Sequence, residues 1–149
     1  MMENSSNLGR QVVYCGHLAR QCLENRVRQF GVTPVQAYAM RFLAINQDRH
    51  DVAQRDLERE LRLKASTVNG VVDRLAEKGM LLRQTSPTDG RCRLLTLTPL
   101  GVQVAETFHS ALVDTEALFR SALSPEEQQQ FQELLSRIIM NLESEVHRT

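Results

Sequence analysis

Asp89-Gly90 stands between two short β-prone runs, Met80 to Gln84 and Cys92 to Leu97, in a chain whose other periodicities are helical. Asp-Gly is a turn dipeptide, and two such runs joined through it and Pro87 read as one antiparallel two-stranded ribbon. The second run stops at Thr98-Pro99, where a new helix can begin. A single small ribbon among helices restricts the fold class to mainly α with one β-hairpin. Asp89, Arg91 and Arg93 gather at the tip of that hairpin.

The helical segments announce themselves by period and by caps. Leu8, Val12, Cys15, Ala19, Cys22 and Phe30 recur at near-helical spacing without an intervening proline, predicting one long helix ended near Gly31. Thr33-Pro34-Val35-Gln36 restarts the chain with an N-cap, a proline at the first helical position and a capping-box Gln. That helix reaches about Gln47, and a short one follows from about Gln54 to Leu61 with Leu57 and Leu61 one turn apart. Val68, Val71, Val72 and Leu75 give the next helix one apolar face, and Gly79 suits its C-terminal cap. After the hairpin, Thr98-Pro99 opens a helix to about Ala122, with Val104, Ala105, Phe108, Ala111, Leu112 and Phe119 as its stripe. Ser124-Pro125-Glu126-Glu127 caps the last helix, whose apolar face holds Phe131, Leu134, Leu135, Ile138 and Leu142. These outer stripes exceed what a small middle domain can cover, so self-association is expected.

Two helices joined by a tight turn at Arg62-Leu63-Lys64 match a helix-turn-helix. The second presents Ser66, Thr67, Asn69, Gly70, Asp73 and Arg74 opposite its apolar face. A helix entering the major groove brings its backbone close to base edges, which favours small hydroxyl and amide side chains. Ser66 and Thr67 suit phosphates or bases, Asn69 suits adenine, and Arg74 suits a phosphate or a guanine. The alternative is a polar face that merely meets water. Gly70 costs about 1 kcal/mol against Ala in a helix interior; close approach to DNA and tight packing on a neighbouring helix both account for it. A hairpin directly after such a helix reads as a wing, with Arg91 able to enter a minor groove and Asp89 able to hold its guanidinium by a carboxylate pair. Arg93 is a phosphate contact or a solvated charge. The charge distribution agrees: residues 1–48, 49–97 and 98–149 carry net charges of +2, +3 and −5, although the whole chain is neutral.

Residues 52 to 101, VAQRDLERELRLKASTVNGVVDRLAEKGMLLRQTSPTDGRCRLLTLTPLG, resemble the winged-helix core of the MarR family of bacterial transcriptional regulators. The resemblance rests on Ser66 to Gly79 as the recognition helix, Asp89-Gly90-Arg91 as the wing motif and Leu97 to Gly101 after it. It implies a homodimer on a pseudo-palindromic double-stranded operator, most simply a repressor released by a small phenolic or anionic effector. It also implies a division into helical dimerisation segments, 1–32 and 98–149, around a winged helix-turn-helix at 33–97. The DNA-contacting residues so implied are Lys64, Ser66, Thr67, Asn69, Gly70, Arg74, Asp89, Arg91 and Arg93, with Asp89 orienting Arg91. Four positions depart from the family pattern. Lys64 and Ala53 replace the usual capping hydroxyls, each at about 1 kcal/mol, and Asn69-Gly70 stands where Thr or Ser followed by Arg is common.

Other classes find little support. His17, His50, His109 and His147 are isolated, and no phosphate loop, nucleophile elbow or metal-ligand spacing occurs, so neither an enzyme nor a cofactor is expected. Cys15, Cys22 and Cys92 are odd in number and read as buried free thiols. Thiol-based peroxide sensing through Cys15 or Cys22 is the alternative regulatory reading, and a winged helix used only to bind protein is the alternative function. No apolar run approaches the roughly 20 residues that span a bilayer. The opening MMENSSNLGRQ lacks the order of a signal peptide. A cytoplasmic protein without membrane contact is therefore expected.

Overall fold

The structure, a computed structural model, describes residues 7–148; residues 1–6, on which part of the leader reading rests, and Thr149 lie outside the described residues. The elements follow in the order α1 (Leu8–Val27), α2 (Pro34–Asn46), α3 (Gln54–Leu61), α4 (Ala65–Glu77), β1 (Leu81–Thr85), β2 (Arg93–Leu97), α5 (Pro99–Ser121) and α6 (Pro125–Val146). The mainly α fold with one antiparallel hairpin is as the sequence implies. Among the described residues no helix is long and apolar enough to cross a membrane.

Local chemistry sets most boundaries. A 3-10 turn at Arg28–Phe30 continues α1 to Gly31, whose φ of 66° is the left-handed conformation that Gly adopts without penalty. Thr33 Oγ1 accepts the Gln36 N–H while Gln36 Oε1 accepts the Thr33 N–H, closing the capping box of α2. Ala53 has no acceptor to offer α3, and the Asp56 carboxylate makes up half the loss by accepting the Ala53 N–H at 2.9 Å. Lys64 likewise gives α4 no side-chain cap. Between α3 and α4 the turn is tight because Arg62 takes a left-handed φ of 52°, a conformation uncommon outside Gly, Asn and Asp.

The compact unit that ends at Leu112 is built round one core. Val68, Val72 and Leu75 of α4, Leu57 of α3, Met40 and Leu43 of α2, and Leu81, Leu95 and Leu97 of the hairpin are buried together. Leu23 and Val27 of α1 and Val104, Ala105, Phe108 and Ala111 of α5 join the same core. Both flanking helices, α1 and α5, thus supply core side chains to this unit. Phe108, fully buried, meets Tyr38 edge-to-face with ring centroids 4.8 Å apart.

The hairpin is fixed at both ends. Leu81 pairs with Leu97 and Thr85 with Arg93, which puts Leu81, Leu95 and Leu97 on the core. The Leu95 N–H donates to the Val52 carbonyl at 2.8 Å, adding a short third strand position beside β2. At the exit, Thr98 Oγ1 donates to the Gly79 carbonyl at 2.6 Å and accepts the Gly101 N–H at 3.2 Å. Here α5 starts so close to β1 that a Cβ on Gly101 would lie 2.0 Å from the Met80 carbonyl oxygen. Glycine is the residue this crossing admits.

The second unit, Val113 onward, comprises the end of α5 and α6. Gln128 ties its loop, donating to the Arg120 and Leu123 carbonyls at 3.0 and 3.1 Å. Ser124 and Glu127 form a complete capping box, and the Ser124 backbone N–H, followed by its hydroxyl, holds the Glu127 carboxyl below its ordinary pKa. No residue of α6 is buried. Phe131, Leu134, Ile138 and Leu142 lie 44–59% exposed.

Candidate nucleic-acid interface

Helix α4 turns its apolar side into the core, which leaves Ser66, Thr67, Asn69, Gly70 and Arg74 exposed, with Lys64 exposed at the N-cap. An added methyl at Gly70 would meet no heavy atom within 4 Å. Tight helix packing, one of the two accounts of this glycine, is therefore excluded within the chain.

A polar chain of side chains runs from α3 across α4 to β1. Gln54 Nε2 donates to Asn69 Oδ1 at 3.3 Å, Asn69 Nδ2 donates to Asp73 Oδ2 at 3.4 Å, and Asp73 Oδ1 pairs with the Arg83 guanidinium. Arg83 is the most enclosed of these groups, its side chain 22% exposed and its Nε buried without a partner. Asp73 is half-buried, unlike the rest of the polar face. Of these three contacts only Asn69–Asp73, an i, i+4 pair on α4, is readable from spacing along one helix; the other two join separate elements.

The wing loop corrects the expected role of Asp89. Its Oδ1 accepts the Arg91 backbone N–H at 3.0 Å, and no ion pair joins the two side chains among the described residues. A short carboxylate two positions before an amide closes an Asx turn more readily than it reaches a guanidinium along its own chain. Asp89 therefore shapes the loop, with the Cys92 N–H donating to the Asp89 carbonyl at 3.0 Å and the Ser86 N–H to the Cys92 carbonyl at 2.9 Å. Cys92, expected as a strand residue, closes this loop just before β2.

Arg91 and Arg93 line a cleft of about 190 Å³ with Cys92 and with Ala53, Gln54, Arg55 and Glu58 at the start of α3. Gln54 thus belongs to both features: its amide reaches Asn69, and it borders the cleft beneath the wing. The polar face of α4 and the base of the wing are contiguous through it. Lys64, Arg74, Arg91 and Arg93 of the expected set, and Arg55 beside them, have no carboxylate partner among the described residues. Gln54, Arg55 and Arg83 were not among the expected residues. The uncapped Ala53 was the local hint at α3, whereas Arg83 carried none.

The thiols also differ from expectation. Cys15 and Cys22 are exposed and Cys92 is half-buried. Only Leu23 and Val27 of α1 are buried, and of the stripe that holds the cysteines Phe30 packs on the core while Leu8, Val12, Cys15 and Cys22 are exposed.

Residues 30–91 match the model of the MarR family. A putative transcriptional regulatory protein for the hcr operon of Thauera aromatica is 34% identical over 108 residues, 72% of this chain and 63% of that protein. The chain thus spans less than two thirds of that relative's own length. A probable transcriptional regulator from Pseudomonas aeruginosa superposes with a TM-score of 0.73 at 27% identity, covering 91% of this chain and 99% of that one. Staphylococcus aureus MepR in its complex with DNA has the same fold, with a TM-score of 0.82 at 24% identity over 91% of this chain and 98% of that one. These proteins are regulators rather than enzymes. Residues 30–91, which hold the helix-turn-helix and most of the wing, are thus similar to the MarR family.

Proposed function

We propose that this chain is a homodimeric, sequence-specific regulator of transcription that binds double-stranded DNA, a repressor that a small phenolic or anionic effector releases. The observation that carries the reading is the contiguous surface from Ser66 and Asn69 through Gln54 to Arg91 and Arg93, with its unpaired cations. Small polar groups on a helix face suit base edges, and free guanidinium groups beside them suit phosphates. In this reading α4 enters the major groove, Arg91 approaches the minor groove, and Arg55, Arg93 and Lys64 meet the backbone. The exposed apolar face of α6 meets a second copy, which sets two α4 helices about one helical turn apart on a pseudo-palindrome. An effector that favours a dimer with another separation lowers affinity by shifting that population.

Selection of bound duplexes from random DNA by the purified protein tests the reading. An enriched palindrome with half-sites about 10 bp apart supports it. Binding with no enriched sequence refutes it, and favours a winged helix that binds protein. A second signal, thiol oxidation, is favoured by the exposure of Cys15 and Cys22. Seven residues of helix separate them by about 10 Å, beyond the reach of one disulfide. Unchanged release of DNA by peroxide in a Cys15→Ser, Cys22→Ser variant excludes that signal.

A further inference from the structure

We propose that Arg83 is a positioning residue for base readout, acting through Asp73 to fix which way the Asn69 amide faces; the inference rests on the DNA-binding reading above. Arg83 lies on β1 and has no place in the expected contact surface. Its guanidinium is largely enclosed and pairs with Asp73 Oδ1, leaving Asp73 Oδ2 against Asn69.

The direction of the Asn69 amide follows from donor and acceptor chemistry. An ionised carboxylate only accepts, so the group that Asn69 turns to Asp73 is its NH₂. The carbonyl then faces Gln54, whose Nε2 donates to it. Each partner uses one of two positions on each end of the amide. One N–H and one oxygen lone pair remain, in a fixed left-to-right order. That is the donor and acceptor pair that matches N7 and the N6 amino group of adenine. Were the amide free to rotate by half a turn, the order would reverse and the match would be lost half the time.

Arg83 supplies what keeps Asp73 in place. The Asp73 side chain is about half exposed and would otherwise be drawn towards water. A charge-assisted bond to an enclosed guanidinium holds one of its oxygens and thereby aims the other. The unpartnered Nε of Arg83 means that the arginine has given up hydration on that atom in taking this position. Asp73 and Arg83 thus connect the hairpin to the one amide on α4 suited to adenine.

The test compares selected-sequence profiles for wild type, Asn69→Ala, Arg83→Gln, Arg83→Lys and Asp73→Asn. The wild type is expected to prefer adenine at one position of each half-site by on the order of tenfold or more. Asn69→Ala abolishes that preference. Arg83→Gln lowers it to about twofold or less at the same position, leaves the other positions unchanged, and adds nothing in the presence of Asn69→Ala. Arg83→Lys restores part of it. Asp73→Asn, which keeps the shape but can face Asn69 either way, gives the same local loss and carries the test alone if Arg83→Gln fails to fold by circular dichroism. An Arg83→Gln or Asp73→Asn profile with the Asn69 position intact, or affinity lowered equally on all sequences, overturns the inference in favour of a plain brace between α4 and β1. A wild-type protein that enriches no sequence refutes the DNA-binding reading itself, and this inference falls with it.

Discussion

The unit ending at Leu112 and the unit beginning at Val113 are built on opposite principles. The first fully buries Phe108, Leu57 and Val72, leaves Leu8, Val12, Val13 and Tyr14 of α1 exposed, and carries Lys64, Arg74, Arg91 and Arg93 without a carboxylate partner among the described residues. The second caps its helix carefully at Ser124 and buries nothing on α6. A helix that is well specified locally but uncovered apolar side out needs a partner to be stable in water. On the proposed function, the polar and cationic surface of the first unit meets DNA, and the exposed α6 face of the second unit meets a second copy.

The largest expected effect breaks the first half of this contrast. Phe108→Ala should destabilise the chain by about 3–5 kcal/mol, as aromatic truncations in a closed core do. Phe131→Ala, on an exposed face, should change single-chain stability by less than about 1 kcal/mol and instead make the melting temperature depend more steeply on protein concentration. Urea titrations and thermal melts, each at two protein concentrations, measure both. Equal losses for the two phenylalanines at low concentration would erase the distinction.

Two glycines sharpen it further. Gly101→Ala puts a Cβ into the Met80 carbonyl and should cost about 1–3 kcal/mol or more. Gly70→Ala has open space and should stabilise α4 by about 0.5–1 kcal/mol, while weakening DNA binding if the backbone there approaches bases. Thermal melts and duplex binding of both variants give the comparison. A Gly70→Ala protein that is stabler and binds equally well would remove the close-approach role.

Arg91→Ala is expected to act on affinity alone. It should weaken binding across most sequences and lower the slope of log affinity against log salt by about 1, since one phosphate-level charge contact is lost. An unchanged slope takes Arg91 out of the interface. Smallest of all is the pH response of the α6 cap. Glu127 has its carboxyl depressed by hydrogen bonds from Ser124, so its contribution is full above the unfolded pKa and is lost as pH falls through the lower folded value. Glu127→Gln should abolish that small acid-side response in the second unit and leave the first unit's acid titration as it was.

Much of the fold was legible because its boundaries are set by neighbours in sequence. The Thr33 and Ser124 capping boxes, Gly79 after α4 and the Asp89-Gly90 turn each act over three or four residues, and each stands where expected. What could not be read is what depends on elements meeting. Asp73 and Arg83 are ten residues apart on different elements, so no periodicity joins them. Cys15 and Cys22 share an apolar-looking stripe with Leu8 and Val12, yet α1 buries only its last turns. The role of Asp89 was misread for the opposite reason: a local backbone bond satisfies the carboxylate before any tertiary pairing can. Within the candidate site, the exposed positions on α4 followed from one apolar face, whereas Gln54 and Arg55 entered only when α3 was placed beside the wing.

On the proposed function, the first unit reads DNA and the second pairs two chains. Sedimentation of the protein with its enriched duplex tests it most directly, using the wild type beside a Leu134→Asp, Ile138→Asp variant. Two wild-type chains per duplex are expected, and a variant that sediments as a monomer, keeps the melt of the first unit and loses tight binding. A variant that remains dimeric, or a single chain bound at full wild-type affinity, would contradict it.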